Sequence, residues 1–390
     1  MASNGELFEI FSRLPAKSIF KLASVAKSCD EFSSEDLFVK KQSQNMVRKN
    51  DSAFFMQQSS YQMFMGVPEF HVVPGEENSS GVSNKSLDFL KKFGHLLGSS
   101  NGLVCCRKAS EKPIDNELFI CNPATQKWLS IPNPWRFQDP KPALNVVFQC
   151  NTGPSDEFPS DYFLMVLQPT EFWSSDLMCK IYSPAEGIWQ ERGLINFGTR
   201  KILFESLVYQ KGVFYFLSDW FPSVVKESRF YWPYIVEFDP KECTWSFLQI
   251  PKPARKHDFL DTNLNMGIFK WGKGNQESIC LVMLSKGVFA VWALEHNKPG
   301  SWRKILKVRA RAMRMVEPDP QIAGFTVING DSLLVATFKR VYRYSLTSHW
   351  RWKRAEKVCS HKCWGSVLFY PYSNTLRPCG DGATPVPNCC

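Results

Sequence analysis

The sequence predicts a mainly β protein, a β-propeller of about six blades preceded by a small all-α helical module. Three observations lead to this prediction. A tryptophan recurs behind nearly the same turn, the spacing between these tryptophans is close to the length of a propeller blade, and residues 1–50 follow a helical period. Two modules of different character imply two separate binding tasks.

The repeated unit is a turn with a proline five residues before a tryptophan. It occurs at residues 122–128, 183–189 and 239–245, with weaker copies that end at Trp302 and Trp350. The successive tryptophans are 61, 56, 57 and 48 residues apart. A short polar side chain can bond the nearby backbone while proline fixes φ, so each unit predicts a strand, a turn and a strand. We expect the tryptophans to anchor the packing between blades rather than to bind a ligand.

The predicted propeller occupies residues 95–372, where short runs rich in Val, Ile, Phe and Tyr are typical of strands. Residues 51–94 predict a connecting segment that approaches the first blade. Residues 373–390 predict a disordered tail, because Pro, Gly and Asn are frequent there. Pairing of an N-terminal strand with a C-terminal strand is one way to close such a ring.

The net charge is concentrated late in the chain. The protein has 390 residues, 44% of them hydrophobic, and a net charge of +10. Residues 301–362 account for this excess, since they contain fourteen Lys and Arg and only four Asp and Glu. On a strand, Arg309 and Arg311 would point to one face and the intervening apolar residues to the other.

A basic surface on the late blades is therefore predicted, formed by Arg309, Arg311, Arg314, Arg340 and Arg343. The structural alternative is an ordinary solvated face. The functional interpretation is a site for an acidic protein partner, because the chain has no recognisable nucleic-acid-binding module.

Neither a catalytic centre nor a metal or cofactor site is predicted. The six histidines lie outside the known catalytic and metal-binding motifs. Cys359, His361 and Cys363 would spread over roughly 14 Å on a strand, too far for one ion. Charged residues interrupt the first twenty positions, and the scattered cysteines suit a reducing compartment. We expect a protein of the cytoplasm or nucleus that does not enter a membrane.

Residues 1–50 predict three short helices with an apolar stripe. The stripe follows three- and four-residue spacing, and a Leu-Pro corner joins the first two helices. Its members are Leu7, Ile10, Leu14, Pro15, Ile19, Leu22 and Val25. Three short helices bury little apolar surface, so we expect a partner protein to cover the stripe.

These residues carry a resemblance to a known family. EIFSRLPAKSIF at residues 9–20, followed by VAKS at 25–28, resembles the F-box of plant F-box proteins that join it to a kelch-like or F-box-associated propeller. GSSNGLVCC at 98–106, ICNPAT at 120–125 and KGVFYFL at 211–217 are similar to the propeller part of the same family. The matches extend over almost the whole chain.

The resemblance implies a non-catalytic substrate receptor of a cullin-based (SCF) ubiquitin ligase. The apolar stripe would bind a Skp-type adaptor, and the propeller would bind the target. Two positions depart from the family pattern: residues 3–5 replace an opening Leu-Pro, and Cys29 stands in place of a tryptophan. The alternative is a propeller scaffold whose F-box no longer binds the adaptor.

Overall fold

The computed structural model describes residues 4–47, 51–59, 68–76, 90, 95–107, 117–134, 145–151, 162–171, 174–220, 225–255, 264–295, 300–347 and 354–385. The N-terminal module has four helices: α1 (Asn4–Phe11), α2 (Ala16–Ala23), α3 (Lys27–Ser33) and α4 (Asp36–Val47). This is one more than predicted. The second apolar segment breaks after Ala23, where the Ser24 hydroxyl donates to Lys21 O at 2.7 Å, and the chain restarts as α3.

Six antiparallel sheets follow, so the predicted six-bladed propeller is confirmed. Blade 1 contains β3 (His95–Ser100), β4 (Leu103–Arg107), β5 (Leu118–Asn122) and β6 (Lys127–Ile131). Blade 2 contains β7 (Asn145–Cys150), β8 (Tyr162–Pro169), β9 (Asp176–Ser183) and β10 (Ile188–Asn196). Blade 3 contains β11 (Ile202–Gln210), β12 (Val213–Ser218), β13 (Tyr234–Asp239) and β14 (Thr244–Gln249), followed by a short helix α5 (Lys252–Arg255).

Blade 4 contains β15 (Asn265–Trp271), β16 (Ser278–Ser285), β17 (Val288–Leu294) and β18 (Trp302–Arg309). Blade 5 contains β19 (Ile322–Ile328), β20 (Ser332–Thr337), β21 (Arg340–Ser345) and β22 (Glu356–Ser360). Blade 6 contains β1 (Ala53–Gln58), β2 (Glu69–Val72) and β23 (Val367–Tyr372), and β24 (Thr384–Pro385) pairs with the outer edge of blade 1. None of the described helices is both long and apolar enough to cross a membrane.

The inner strands β3, β7, β11, β15, β19 and β23 contact one another in a ring. In each of blades 1 to 5 the chain then runs outward strand by strand and crosses to the next inner strand. All six inner strands therefore begin at one face of the propeller, which we call the upper face, and end at the opposite, lower face. Loops between second and third strands also lie at the upper face.

Strands from the two ends of the chain close the ring. β1 pairs antiparallel with β23 over its full length, from Ala53 opposite Tyr372 to Gln58 opposite Val367. Phe54 packs toward blade 5 and Phe55 toward blade 1, so β1 is buried on both sides. The predicted assignment of residues 51–94 to a connecting segment is therefore wrong for β1 and β2. The run Phe54-Phe55-Met56 is an unbroken apolar strand without the alternation expected of a half-buried one.

The recurring turns have the predicted geometry. Asn122 Oδ1 accepts from Ala124 N at 2.9 Å, and Asp239 Oδ1 accepts from Lys241 N at 2.8 Å. The residue two positions before each tryptophan has a left-handed φ: +56° at Gln126, +69° at Gly187 and +51° at Cys243. This conformation reverses the chain between the third and fourth strands of the blade.

The repeated tryptophans join neighbouring blades, as predicted. Trp189 Nε1 of blade 2 donates to Pro132 O at 2.6 Å, at the end of blade 1. Trp302 Nε1 of blade 4 makes the equivalent 2.9 Å bond to Gln249 O of blade 3. Trp245 packs edge-on against Phe197, in the connection between blades 2 and 3, with ring centroids 5.9 Å apart. Trp350 lies outside the described residues.

Acid should weaken the seam between blades 6 and 1. His95 at the start of β3 contacts Gln57 Nε2 of β1, and burial, followed by the nearby Arg107 charge, lowers the pKa of His95 from 6.5 to about 4. As the pH falls, His95 therefore becomes protonated in the unfolded chain before it does in the folded protein. We therefore expect the contribution of His95 to the free energy of unfolding to be fully present above pH 6.5. Urea denaturation should show the free energy of unfolding falling by about 3 kcal/mol as the pH drops toward 4.

The matched variant for this experiment is His95→Gln, which has no titrating ring. Its free energy of unfolding should be lower at pH 7 but should change less between pH 7 and pH 4.5. Equal pH dependence in the two proteins would exclude His95 as the titrating group.

Candidate functional surfaces

The helical module and the upper face lie on opposite sides of the propeller. The module contacts the lower face through Asn101 at the β3–β4 turn and Ala124 at the β5–β6 turn. The inner strands are about six residues long, so roughly 20 Å of sheet separates the module from the upper face. The module and the upper face are therefore separate surfaces.

The module has an aromatic core of its own. Phe8, Phe32 and Phe38 form a cluster in which Phe8 packs edge-on against both other rings, with centroids 5.6 and 5.3 Å away. Cys29, at the position where the family pattern has tryptophan, is fully buried, and its thiol contacts Ile19 O at 3.7 Å. Burial, and then the Asp30 charge, raise the pKa of the Cys29 thiol. Cys29 is thus a neutral packing residue.

The structure divides the predicted apolar stripe between core and surface. Leu14 and Leu22 pack against the module core, and Ile19 is fully buried, so the prediction that Ile19 faces a partner is wrong. Ile10 and Val25 are 55% and 81% exposed. Leu7 and Pro15 are half-buried.

Two exposed apolar residues of the module were missed by sequence reasoning. Phe20 is 43% exposed and Leu37 is 76% exposed. Phe20 is adjacent in sequence to the buried Ile19, and Leu37 is adjacent to the buried Phe38. The three- and four-residue spacing that identifies the buried side of a helix therefore does not identify these two residues. On α1 the core side is formed by Phe8 and Phe11, which leaves Leu7 and Ile10, three residues apart, on another side.

A C-terminal segment, residues 373–379, fixes the module to the propeller. Ala16 N donates to Asn374 O at 3.3 Å, and Leu376 lies in the module core. The fully buried Gln42 accepts from Leu376 N and donates to Leu14 O, both at 2.9 Å. The predicted disorder of this tail is therefore wrong for residues 373–385, and residues 386–390 lie outside the described residues.

The same segment is bonded to the lower face of blade 1. Asn122, fully buried, donates to Thr375 O at 3.0 Å and to Arg377 O at 2.7 Å. Thr375 Oγ1 donates to Asn101 O at 3.0 Å. Gly102 has φ +85°, and any Cβ at that position would overlap the Thr375 side chain. Residues 373–379 thus form a rigid bridge between the two modules.

A cavity of about 1250 Å³ opens at the upper face. Its apolar walls include Leu203, Phe269 and Phe325 on inner strands, and its rim includes Asp219 and Arg309. Arg200 lies behind this rim and contacts Asp219 at 3.4 Å. Burial raises the pKa of Asp219 although Arg200 opposes the shift, and burial lowers the pKa of Arg200. The rim offers charges of both signs to a ligand.

The predicted basic residues do not form one patch. Arg309, Arg311, Arg314 and Arg340 lie at the upper face, whereas Arg343 lies within β21 and contacts Glu356 at 2.7 Å. The predicted strand alternation ends at Arg309, because residues Ala310–Met313 form a 3-10 helix. Arg309 is exposed at the end of β18.

Local acids neutralise part of this basic surface. Arg311 contacts Asp319, and Arg340 contacts Glu317, both at 3.0 Å. Burial alone would raise the pKa of Glu317, but hydrogen bonds from Tyr342, Arg340 and Thr337 outweigh it and lower the pKa. Glu317 is therefore an ionised acceptor that fixes three partners in place.

Potential metal ligands do not gather in the described part of the chain. No group of three or more His, Cys, Asp and Glu side chains there is placed to hold an ion. Cys363 Sγ contacts Glu69 Oε1 at 3.6 Å, and the described cysteines are all free thiols. The described surfaces present exposed apolar and charged side chains.

Fold and surfaces together define a class: a six-bladed propeller that carries a separate helical module on its lower face. The chain is 22% identical over 394 residues to an F-box protein of Arabidopsis thaliana, a match that covers 96% of each chain. A second F-box protein of Arabidopsis thaliana is 24% identical over 314 residues, covering 77% of this chain and 66% of the relative. The predicted resemblance to plant F-box proteins is thereby confirmed.

Comparisons with family models and with solved structures do not identify a family. No family model matches the chain. Among solved structures, a candidate 6-phosphogluconolactonase from Bacteroides fragilis has a TM-score of 0.40 and 11% identity, covering 82% of this chain and 98% of that one. The Sqt1 protein of Saccharomyces cerevisiae has a TM-score of 0.34 and 10% identity, covering 72% and 63%.

Removing the hydrogen bonds that Asn122 donates to residues 373–379 should destabilise the protein. Asn122→Ala leaves two buried carbonyls, Thr375 O and Arg377 O, without this donor, and we expect the free energy of unfolding to fall by about 3 kcal/mol. Asp239→Ala is the matched control, because Asp239 begins the same turn in blade 3 but contacts no C-terminal segment. Its expected cost is about 1 kcal/mol.

Urea denaturation of both variants measures this difference, and limited proteolysis reports release of the C-terminal segment. Equal losses of stability would show that Asn122 acts only through its turn.

Proposed function

We propose that this protein is a non-catalytic substrate receptor of an SCF-type ubiquitin ligase. The helical module binds a Skp-type adaptor, and through it a cullin, while the upper face of the propeller binds the target protein. The observation that carries the proposal is the placement of exposed apolar residues of an F-box-like module on the face opposite the cavity.

The adaptor surface in this proposal is smaller than the predicted stripe. It contains the exposed residues Ile10, Phe20 and Val25, together with the half-buried Leu7. Burying a side chain of this size in an interface contributes about 1.5–3 kcal/mol. Ile19 supports this surface from within the module core and does not contact the partner.

The rigid bridge at residues 373–379 supports the proposed mechanism. A receptor acts by proximity, since holding the target near the conjugating enzyme raises the effective concentration of its lysines. A flexible joint between the modules would spread the target over a larger volume and lower that concentration. Gln42, Asn122 and Thr375 limit such motion by fixing both modules to one segment.

Adaptor binding tests the proposal directly. Ile10→Asp with Val25→Asp places two charges on the proposed surface, and we expect the affinity of the full chain for purified Skp-type adaptor to fall at least tenfold. Both side chains are exposed, so the fold should be retained. Leu194→Asp with Val225→Asp is the matched control, because these residues are 60% and 71% exposed and lie toward the upper face, near the end of β10 and in the β12–β13 loop.

Surface plasmon resonance with immobilised full-length chain measures the effect. Equal binding by wild type and by Ile10→Asp with Val25→Asp would place the adaptor elsewhere. A wild-type chain that binds no adaptor would favour the alternative, a propeller scaffold with a non-docking F-box, for which Cys29 and the missing Leu-Pro are the motivating features.

A further inference from the structure

Exposed apolar side chains gather on the loops at the upper face of blade 5. Val316 lies in the loop that enters the blade, Phe338 in its β20–β21 turn, and Trp364 in the loop that leaves it. They are 57%, 54% and 80% exposed. Single exposed apolar residues are common on protein surfaces, but three on adjoining loops of one blade, including an indole exposed to this degree, are characteristic of a binding site.

Hydrogen bonds connect these three loops. Glu317 accepts from Thr337 Oγ1 at 3.2 Å, so Val316 and Phe338 flank a direct contact between the first two loops. His361 N donates to Lys339 O at 3.0 Å, and His361 Nε2 donates to Thr337 O at 2.8 Å, which joins the third loop to the second. The apolar side chains are therefore held on a preorganised base, which lowers the entropy cost of binding.

The charge around this surface is positive. Lys339 and Lys362 are exposed, and neither side chain forms an ion pair with any described residue. The nearby carboxylates have partners within the protein: Glu317 binds Arg340, and Glu69 accepts from Lys362 N at 2.7 Å. An incoming acidic group thus meets free ammonium groups and carboxylates that are already bound.

We propose that Val316, Phe338 and Trp364, with Lys339 and Lys362, form the target-binding site, and that its occupant is an acidic peptide segment with a bulky apolar residue. The apolar residue packs against Trp364 and Phe338, and flanking carboxylates bind the two lysines. This inference rests on the proposed receptor function and specifies the chemistry of its target. Aromatic residues are the side chains most often responsible for binding energy at such sites.

A displayed library of random 12-residue peptides, selected on the full-length protein, tests the occupant. Enriched peptides should combine several Asp or Glu residues with a Phe, Trp or Leu. Their affinity, measured by fluorescence anisotropy, should fall at least tenfold for Trp364→Ala and for Phe338→Ala. Lys339→Glu with Lys362→Glu should cause a similar loss and should reduce the salt dependence of binding.

Two matched variants serve as controls and should change the affinity less than twofold. Ile188→Ala removes an exposed apolar residue from blade 2, and Arg303→Glu with Lys304→Glu reverses two exposed charges on the outer strand of blade 4. Enriched peptides without acidic residues, no enrichment at all, or equal binding by Trp364→Ala would overturn the proposal. Tighter binding of a 12-nucleotide single-stranded RNA than of any peptide would also overturn it.

Adaptor binding is measured on the same preparations. Trp364→Ala should bind adaptor as wild type does, because the variant lies on the opposite face. A wild type that binds adaptor but no acidic peptide refutes this target site alone, whereas a wild type that binds the peptides but no adaptor refutes the receptor function alone.

Discussion

Pairing of β1 with β23 is the interaction on which the rest of the molecule depends. It joins segments more than 300 residues apart and supplies both the inner strand and the second strand of blade 6. Without it, the apolar faces of blades 5 and 1 that pack on Phe54 and Phe55 would be exposed to water. The ring of inner strands, the upper cavity and the seat of the helical module all require this closure.

The chain that leaves β23 extends the effect of closure to the lower face. Residues 373–379 pass directly from the closing strand into contact with both blade 1 and the helices. Leu376 fills the module core, and Asn122 holds the segment through two carbonyl oxygens. Two adjacent stretches of chain therefore close the ring and fix the helical module. Because of this coupling, the folded structure fixes the distance between the two proposed binding faces.

The sequence predicted the architecture well, because its signal is repeated. A turn residue, a proline and a tryptophan recur at blade spacing, and each copy reports the same local geometry. Residues without copies were harder to interpret. β1 is one apolar run at the end of a polar segment, and its role follows only from a partner strand far along the chain. Residues 373–379 are rich in polar side chains, and their order comes from bonds to Gln42 and Asn122 that no local pattern reveals.

Prediction of the surfaces was limited for a related reason. Helical spacing identifies residues that share a side of a helix, but it does not say which side meets the protein's own core; Ile19 and Ile10 show the two outcomes. Counting charges indicated a basic region, yet Arg311 and Arg340 are partly neutralised by Asp319 and Glu317, which are close only in the folded chain.

Strand β23 is the last inner strand to leave the ribosome, and residues 373–379 leave after it. Until then blade 6 has no inner strand and the helices lack the segment that fixes them to blade 1, although they were made first. A chain truncated between blade 5 and β23 would therefore form an open arc of blades with an unanchored F-box-like module. Such a fragment would expose the apolar faces that β1 and β23 cover together, so the C-terminal residues matter as much to this protein as its binding residues do.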